Sequence, residues 1–266
     1  MGTVDSQGIK IHYIGKKTTD TKKLSLLFAP GIMIPAWIWE KQLEYFSKHY
    51  NVIAMDPRSQ GDSEQTTEGH YALSMAKDIQ AVVETLDLQN VVVIGWSLAV
   101  PQVVNYAIHF GSPRIVGLVL IDGILGIDPS LPFYQSMIDL WLQFQMDRTF
   151  HTREFIKSIF RQPQEESFIQ KLTEVALRTP TNTAMTLINN YMFQDFRPLL
   201  PKIKIPVFIA TVDGPRLGYM QMMQNMIPNS HLEIFHSAGH PLFIDQPEAF
   251  NRSLEAFLKN LPVEKN

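Results

Sequence analysis

A serine, a histidine and two aspartates stand at or near the ends of apolar runs in this chain, where side chains able to do nucleophilic chemistry would emerge together. Ser97 lies in V-V-V-I-G-W-S-L-A, residues 91 to 99. Four consecutive β-branched residues, Val91–Ile94, predict a buried strand of a parallel sheet. Gly95 ends the run, Ser97 follows, and Leu98–Phe110 is apolar and helix-compatible. Strand, sharp turn with a serine, then helix is the context in which G-x-S-x-G carries meaning, here with Ala99 in the last place. A serine just before a helix also serves as an N-cap. The nucleophile reading therefore needs a base, an acid and donors for a developing negative oxygen elsewhere in the chain.

Eight histidines compete for the role of base. His12, His49, His70, His109, His151 and His231 fall on strands, helix ends or polar loops. His240 sits in S-A-G-H-P, a turn of small residues between the last strand and the last helix; His236 continues that strand. Asp122 follows the apolar run Ile115–Ile121, and Asp213 lies in T-V-D-G-P-R after the run starting at Ile205.

The elements that must position these residues alternate. Ile9–Ile14 reads as an edge-type antiparallel strand, followed by a polar turn at Lys16–Lys23. Buried strands are expected at Leu24–Ala29, Val52–Met55, Asn90–Ile94, Ile115–Ile121, Ile205–Thr211 and His231–Phe235. Helices are expected at Trp37–Lys48, Tyr71–Leu86, Leu98–Phe110, Leu217–Met226 and Pro247–Lys259. Strands alternating with amphipathic helices predict a mostly parallel, twisted sheet with helices on both faces, and a ligand site beyond the strands' carboxyl ends. Between about 126 and 199 the rhythm breaks into four helical segments near 133–146, 152–160, 165–178 and 182–195. The expected organisation is a core, 1–125 and 200–266, with a helical insertion, 126–199, and a frayed tail, Leu261–Asn266.

G-W-S-L-A, the Pro30-Gly31 turn, D-P-R-S-Q-G-D-S at Asp56–Ser63 and A-G-H at Ala238–His240 resemble, in order and spacing, the α/β-hydrolase family. The resemblance covers essentially the whole chain outside the insertion, which corresponds to the family's cap. It implies Ser97 as nucleophile, His240 as base, and an oxyanion site built from the backbone N–H groups of Ile32 and Leu98. The family usually has His-Gly where this chain has Pro30-Gly31. Most members carry the acid where Asp213 stands, in a loop that is shortened here. The alternative position, at the strand end occupied by Asp122, resembles the haloalkane dehalogenase and luciferase branch, and Asp122 is favoured. Asp56 and Arg58 are expected to brace the loop beside the oxyanion turn.

The implied activity is hydrolysis of a carboxylic ester or related acyl bond of a small to medium, hydrophobic substrate, with Trp96, Met33, Trp37 and Trp141 as expected contacts. Two other readings stand beside it. Cofactor-independent dioxygenases of heteroaromatic, quinolone-like substrates share the Pro-Gly turn, the elbow serine and the earlier acid, but generally carry His beside the serine. A non-catalytic binding member of the fold is the other.

Composition narrows the remainder. The 266 residues include no cysteine, which excludes disulfides and thiolate chemistry, and the net charge of −3 leaves no nucleic-acid footprint. No metal-ligand spacing, carboxylate–histidine cluster or phosphate-binding glycine loop is visible, so neither cofactor nor metal is expected. Met1–Lys10 lacks an apolar signal core and no run would span a bilayer, so no membrane partner and a cytoplasmic location are expected.

Overall fold

Residues 1–18, 23–111, 113–130 and 132–262 are described by a computed structural model. Eight strands form one sheet: β1 (Gly2–Ser6), β2 (Ile9–Lys16), β3 (Ser25–Ala29), β4 (Asn51–Met55), β5 (Val91–Trp96), β6 (Ile115–Ile121), β7 (Val207–Val212) and β8 (Ser230–Phe235). Their order is β1-β2-β4-β3-β5-β6-β7-β8, with β1 and β2 antiparallel and the rest parallel. Because side chains alternate along a strand, the central strands feed two separate cores. Phe28, Ile94, Ile121 and Ala210 point into one, and Leu27, Val93, Leu120 and Ile209 into the other.

The second core is covered by α2 (Ala72–Thr85), α3 (Ala99–His109) and α8 (Leu217–Met226); the first holds residues of α1 (Glu40–Phe46), α9 (Leu242–Asp245) and α10 (Pro247–Lys259). Between the neighbouring strands β6 and β7 the chain runs through α4 (Pro132–Met146), α5 (Arg148–Ile159), α6 (Glu166–Arg178) and α7 (Thr181–Phe193). All four lie within the stretch expected as an insertion. Their buried Phe144, Ile156, Leu172 and Ile188 join the first core rather than forming one of their own.

Local differences from expectation have local causes. Ile9–Ile14 is not an edge, because Gly2–Ser6 pairs outside it. Gln7 and Gly8, both at positive φ (57° and 84°), make the two-residue hairpin turn that joins them. The expected helix at Trp37–Lys48 splits into a 3₁₀ turn, Ala36–Trp39, and α1. Leu217–Met226 and Pro247–Lys259 form over the spans expected. Part of the polar turn, 19–22, and of the tail, 263–266, lies outside the described residues. Among the described residues no helix is long and apolar enough to cross a membrane.

Candidate active site

Sheet register brings the chemistry to one rim. Ala29 is paired with Gly95, Trp96 with Ile121, and Ile121 with Ala210, so the residues following β3, β5 and β6 emerge side by side. Ser97 holds φ at +59°, a left-handed conformation that costs a non-glycine residue about 1–3 kcal/mol. Neighbouring backbone fixes it there. Ser97 N–H donates to Ile121 O at 2.9 Å, and Ser97 O accepts from Val100 N–H at 3.0 Å. Two glycines make room. A Cβ on Gly95 would lie 2.9 Å from Ala99 O, and one on Gly123 only 2.3 Å from Ser97 O. Ala99, in contrast, is simply buried in the second core, so its methyl packs without disturbing the turn.

His240 Nδ1 lies 2.7 Å from Asp122 Oδ2, and Asp122 Oδ1 accepts the Thr211 hydroxyl at 2.6 Å. Asp122 also holds a left-handed φ of 42°, and its N–H donates to Ala210 O at 2.8 Å. Burial alone would raise the Asp122 carboxyl, but the Arg216 charge and the bonds from His240 and Arg216 outweigh it and hold it well below the usual carboxylate range. His240 is pushed down to about 4, by burial first and by the Arg216 charge second, against the pull of Asp122. Both effects favour the neutral imidazole, with Nδ1–H assigned to the ionised Asp122 and the Nε2 lone pair outside that bond. Its loop is tied at three points. His240 N–H donates to Ile159 O at 2.8 Å, Trp96 Nε1–H donates to His240 O at 3.0 Å, and Asp245 Oδ2 accepts Gly239 N–H at 2.7 Å.

The turn after β3 is closed by Ile34 N–H donating to Gly31 O at 3.2 Å, with Met33 at φ +61°. Gln60 Oε1 takes the Met33 N–H at 2.6 Å, and Asp56 Oδ1 takes the Ala36 N–H at 2.6 Å. Asp56 Oδ2 accepts from Asp62 N–H at 3.1 Å and from His12 Nδ1 at 2.7 Å. Arg58 is buried on Asp78, with Nε–Oδ2 at 2.7 Å. Asp56 and Gln60 thus brace the turn, whereas Arg58, expected to do so too, is tied to α2 through Asp78 and the Ser74 carbonyl instead. His12, Asp56 and Asp62 do form a carboxylate–histidine cluster, which the sequence hid because His12 lies 44 positions before Asp56 and meets it only through strand pairing. Both Asp56 oxygens are already occupied by donors, which marks a brace rather than a metal cage. The Ile32 and Leu98 N–H groups make no hydrogen bond within the described residues, and both residues line the cavity described next.

That cavity, of about 840 Å³, contains Ser97 and His240 on its floor and is roofed by helices between β6 and β7, through Phe133 and Met137 of α4, Phe155 of α5 and Ile188 of α7. The expected contacts Trp96, Met33, Trp37 and Trp141 are corrected, since none of them lines it. Trp96 is 1% exposed and packs edge-on against Trp39 and Phe243, behind His240. Met33 is fully buried in the braced turn. Trp37 packs against Phe168 and under Lys171, and Trp141 is half-buried among the insertion's helices. Asp213 does line the cavity, but its carboxylate pairs with His236 at 2.5 Å, not with His240. Sequence reasoning missed Arg216, Gln60 and Asp245. Arg216 left a signal as the last residue of T-V-D-G-P-R at the same rim, and Gln60 as part of D-P-R-S-Q-G-D-S; Asp245 left none.

A model of the Alpha/beta hydrolase family matches residues 26–253. Among curated proteins, the chain is 25% identical over 283 residues to a non-heme chloroperoxidase of Streptomyces lividans, covering 98% of this chain and 100% of that one. It is also 25% identical over 264 residues to 3-oxoadipate enol-lactonase 2 of Acinetobacter baylyi, covering 97% and 96%. Among solved structures, the esterase EaEST from Exiguobacterium antarcticum superposes with a TM-score of 0.87 at 22% identity, covering 98% of this chain and 100% of that one.

Proposed function

Because the chain belongs to the alpha/beta hydrolase family, we propose that it is a serine hydrolase cleaving a carboxylic ester or related acyl bond of a small to medium, largely apolar substrate. One observation carries this reading: Ser97, His240, Ile32 and Leu98 border a single roofed cavity, and the N–H groups of the last two have no hydrogen-bond partner among the described residues. The name of the Acinetobacter relative, an enol-lactonase, is that of an enzyme acting on a cyclic ester, and supports the same reaction class.

The Ser97 hydroxyl attacks the ester carbonyl carbon while His240 Nε2 takes its proton. The carbonyl π electrons move to oxygen, which receives the Ile32 and Leu98 N–H groups. Leu98 also opens α3, whose dipole favours negative charge at that end. Collapse restores the carbonyl and breaks the bond to the alkoxide, which takes the proton from His240. Water, deprotonated by His240, then adds to the acyl carbon; collapse breaks the bond to Ser97 Oγ, which takes the proton back from His240, and the acid is released. Asp122 holds the imidazole's tautomer and offsets its transient positive charge throughout. The insertion's phenylalanines and methionine supply an apolar lining suited to an acyl or alcohol group without charge.

A fluorophosphonate probe and a panel of p-nitrophenyl esters test the proposal. Labelling at Ser97 and turnover are expected in the wild type, and both are lost in Ser97→Ala. An unlabelled, inactive wild type would overturn it, and oxygen uptake with a hydroxyquinolone would then point to cofactor-independent oxygenation.

A further inference from the structure

Arg216 sits where the proposed mechanism has no use for a cation. It opens α8 directly after the loop carrying Asp213, and its side chain is 15% exposed and faces the cavity. Its Nε and Nη2 reach Asp122 Oδ2 at 3.0 and 2.7 Å, and His240 Nδ1 reaches the same oxygen at 2.7 Å. Nη2 and Nδ1 are then 2.9 Å apart. Both are donors when Asp122 is ionised, so this closeness follows from sharing one acceptor and is not a bond between them. The other oxygen is taken by Thr211. Three N–H groups therefore compete for the two lone pairs of Oδ2. On its far side the guanidinium lies 5.3 Å from the ring centroid of Phe133 on α4, which holds it against the carboxylate.

We propose that Arg216 is a positioning residue of the hydrolytic site, which neutralises Asp122 and shares its oxygen with His240, so that the base stays uncharged and lightly held well into acid conditions. The inference rests on the serine-hydrolase reading for its catalytic consequence, but not for its effect on His240 itself. In a site with an aspartate and a histidine alone, the carboxylate stabilises imidazolium and the base is easily protonated. Here the carboxylate's charge is already matched by a guanidinium that also repels imidazolium. Other charged groups surround the cavity without touching the pair. Asp139 on α4, Glu154 on α5, Arg161 beyond it and Asp213 line the walls, and Glu154 is 3.6 Å from Lys157. Asp245 is occupied under Gly239, and His236 is held by Asp213. The nearby phenols of Tyr191 and Tyr219 accept the backbone N–H groups of Ile124 and Asp128. Arg216 alone among these cations bonds Asp122.

The test follows the His240 imidazole by NMR through a pH titration, assigned by its loss in His240→Gln, in the wild type, Arg216→Met and Arg216→Lys. Methionine keeps bulk against Phe133 while removing the charge; lysine keeps the charge without the fork. The His240 midpoint is expected below that of an unperturbed histidine in the wild type, and to rise in Arg216→Met by about 1–3 pH units, the span a neighbouring charge produces. Arg216→Lys should fall between them. The acid limb of kcat/KM for a p-nitrophenyl ester should move up in step, with about tenfold less activity per pH unit below it. A midpoint that stays put or falls in Arg216→Met would overturn the proposal. Should that variant not fold, a wild-type midpoint retained in Arg216→Lys with the fork gone would overturn the role of shared bonding. Fluorophosphonate labelling of the same wild-type preparation reports on the hydrolase reading separately, since the titration requires no turnover.

Discussion

Two aspartate–histidine pairs in this molecule are nearly indistinguishable in their bond. His12 and Asp56, like His240 and Asp122, place Nδ1 2.7 Å from Oδ2, with histidine side chains 15% and 12% exposed and aspartates at 2% and 1%. Their protonation runs in opposite directions. The bond to Asp56 raises His12 above its ordinary value despite partial burial, whereas burial and then Arg216 push His240 down to about 4. What differs is the company each pair keeps. Asp56 spends its remaining capacity on the backbone N–H groups of Ala36 and Asp62, which are dipoles, and so stays free to favour a charged His12. Asp122 shares its oxygen with a full positive charge and lies beneath a helical roof. One pair ties a hairpin strand to a turn; the other borders the cavity. The hydrogen bond alone does not set an imidazole's affinity for a proton; the depth of burial and the remaining partners of the acid do.

The sharpest way to break this contrast is to neutralise each acid. Asp122→Asn should lower kcat for ester hydrolysis by about 10²–10⁴-fold by leaving the imidazole in the wrong tautomer. Asp213→Asn should change kcat little, and the reverse ranking would move the acid to the later loop. Asp56→Ala should act through folding. It strands two backbone donors and His12, so urea unfolding should show a loss of about 3 kcal/mol, from about 1–3 kcal/mol for each unpaired buried group. A smaller effect follows from Gly239→Ala. Its Cβ would lie 2.5 Å from both Ile159 O and Arg161 N, so the roof and the base loop must part, and kcat should fall more than thermal stability does.

The smallest contrast is in pH dependence. The lowered His240 contributes stability that is complete above the unfolded value of about 6.5 and is lost as pH falls toward 4. The raised His12 contributes stability that is complete below about 6.5 and is lost as pH rises through its folded value. Thermal unfolding across pH 4 to 8 should therefore lose its acid-side slope in part in His240→Gln, and its alkaline-side slope in part in His12→Gln.

Much of the framework was legible because its signals are local. Val91–Ile94 is a β-branched run between breakers, and Pro247–Lys259 begins with a helix-starting proline and keeps one apolar face. The residues that tune the site were not, because their partners are remote in sequence. Arg216 meets an aspartate 94 positions away, and Gln60 an N–H 27 positions away. Such pairings exist only once strand register is fixed. The tryptophans misled for a related reason. A large aromatic suits a pocket wall and a core equally, and the sheet's alternation put Trp96 in the aromatic stack where Trp39 and Phe243 lie 3.8 Å apart. Of the aromatic and methionine residues between β6 and β7, Phe133, Met137 and Tyr191 reach the cavity, while Met146 and Phe193 face outward, 81% and 71% exposed.

The backbone of His240 is suspended between two bodies, its N–H on Ile159 at the end of α5 and its C=O on Trp96 at the end of β5. A roof that lifts away from the sheet must release that amide or drag the base with it. The doorway to the cavity and the alignment of the imidazole are therefore one degree of freedom rather than two. The same amide proton becomes a gauge of it: its protection from exchange with solvent deuterium reports how often the roof comes free, and a bound ligand that holds the roof down should raise that protection without touching the histidine's ring.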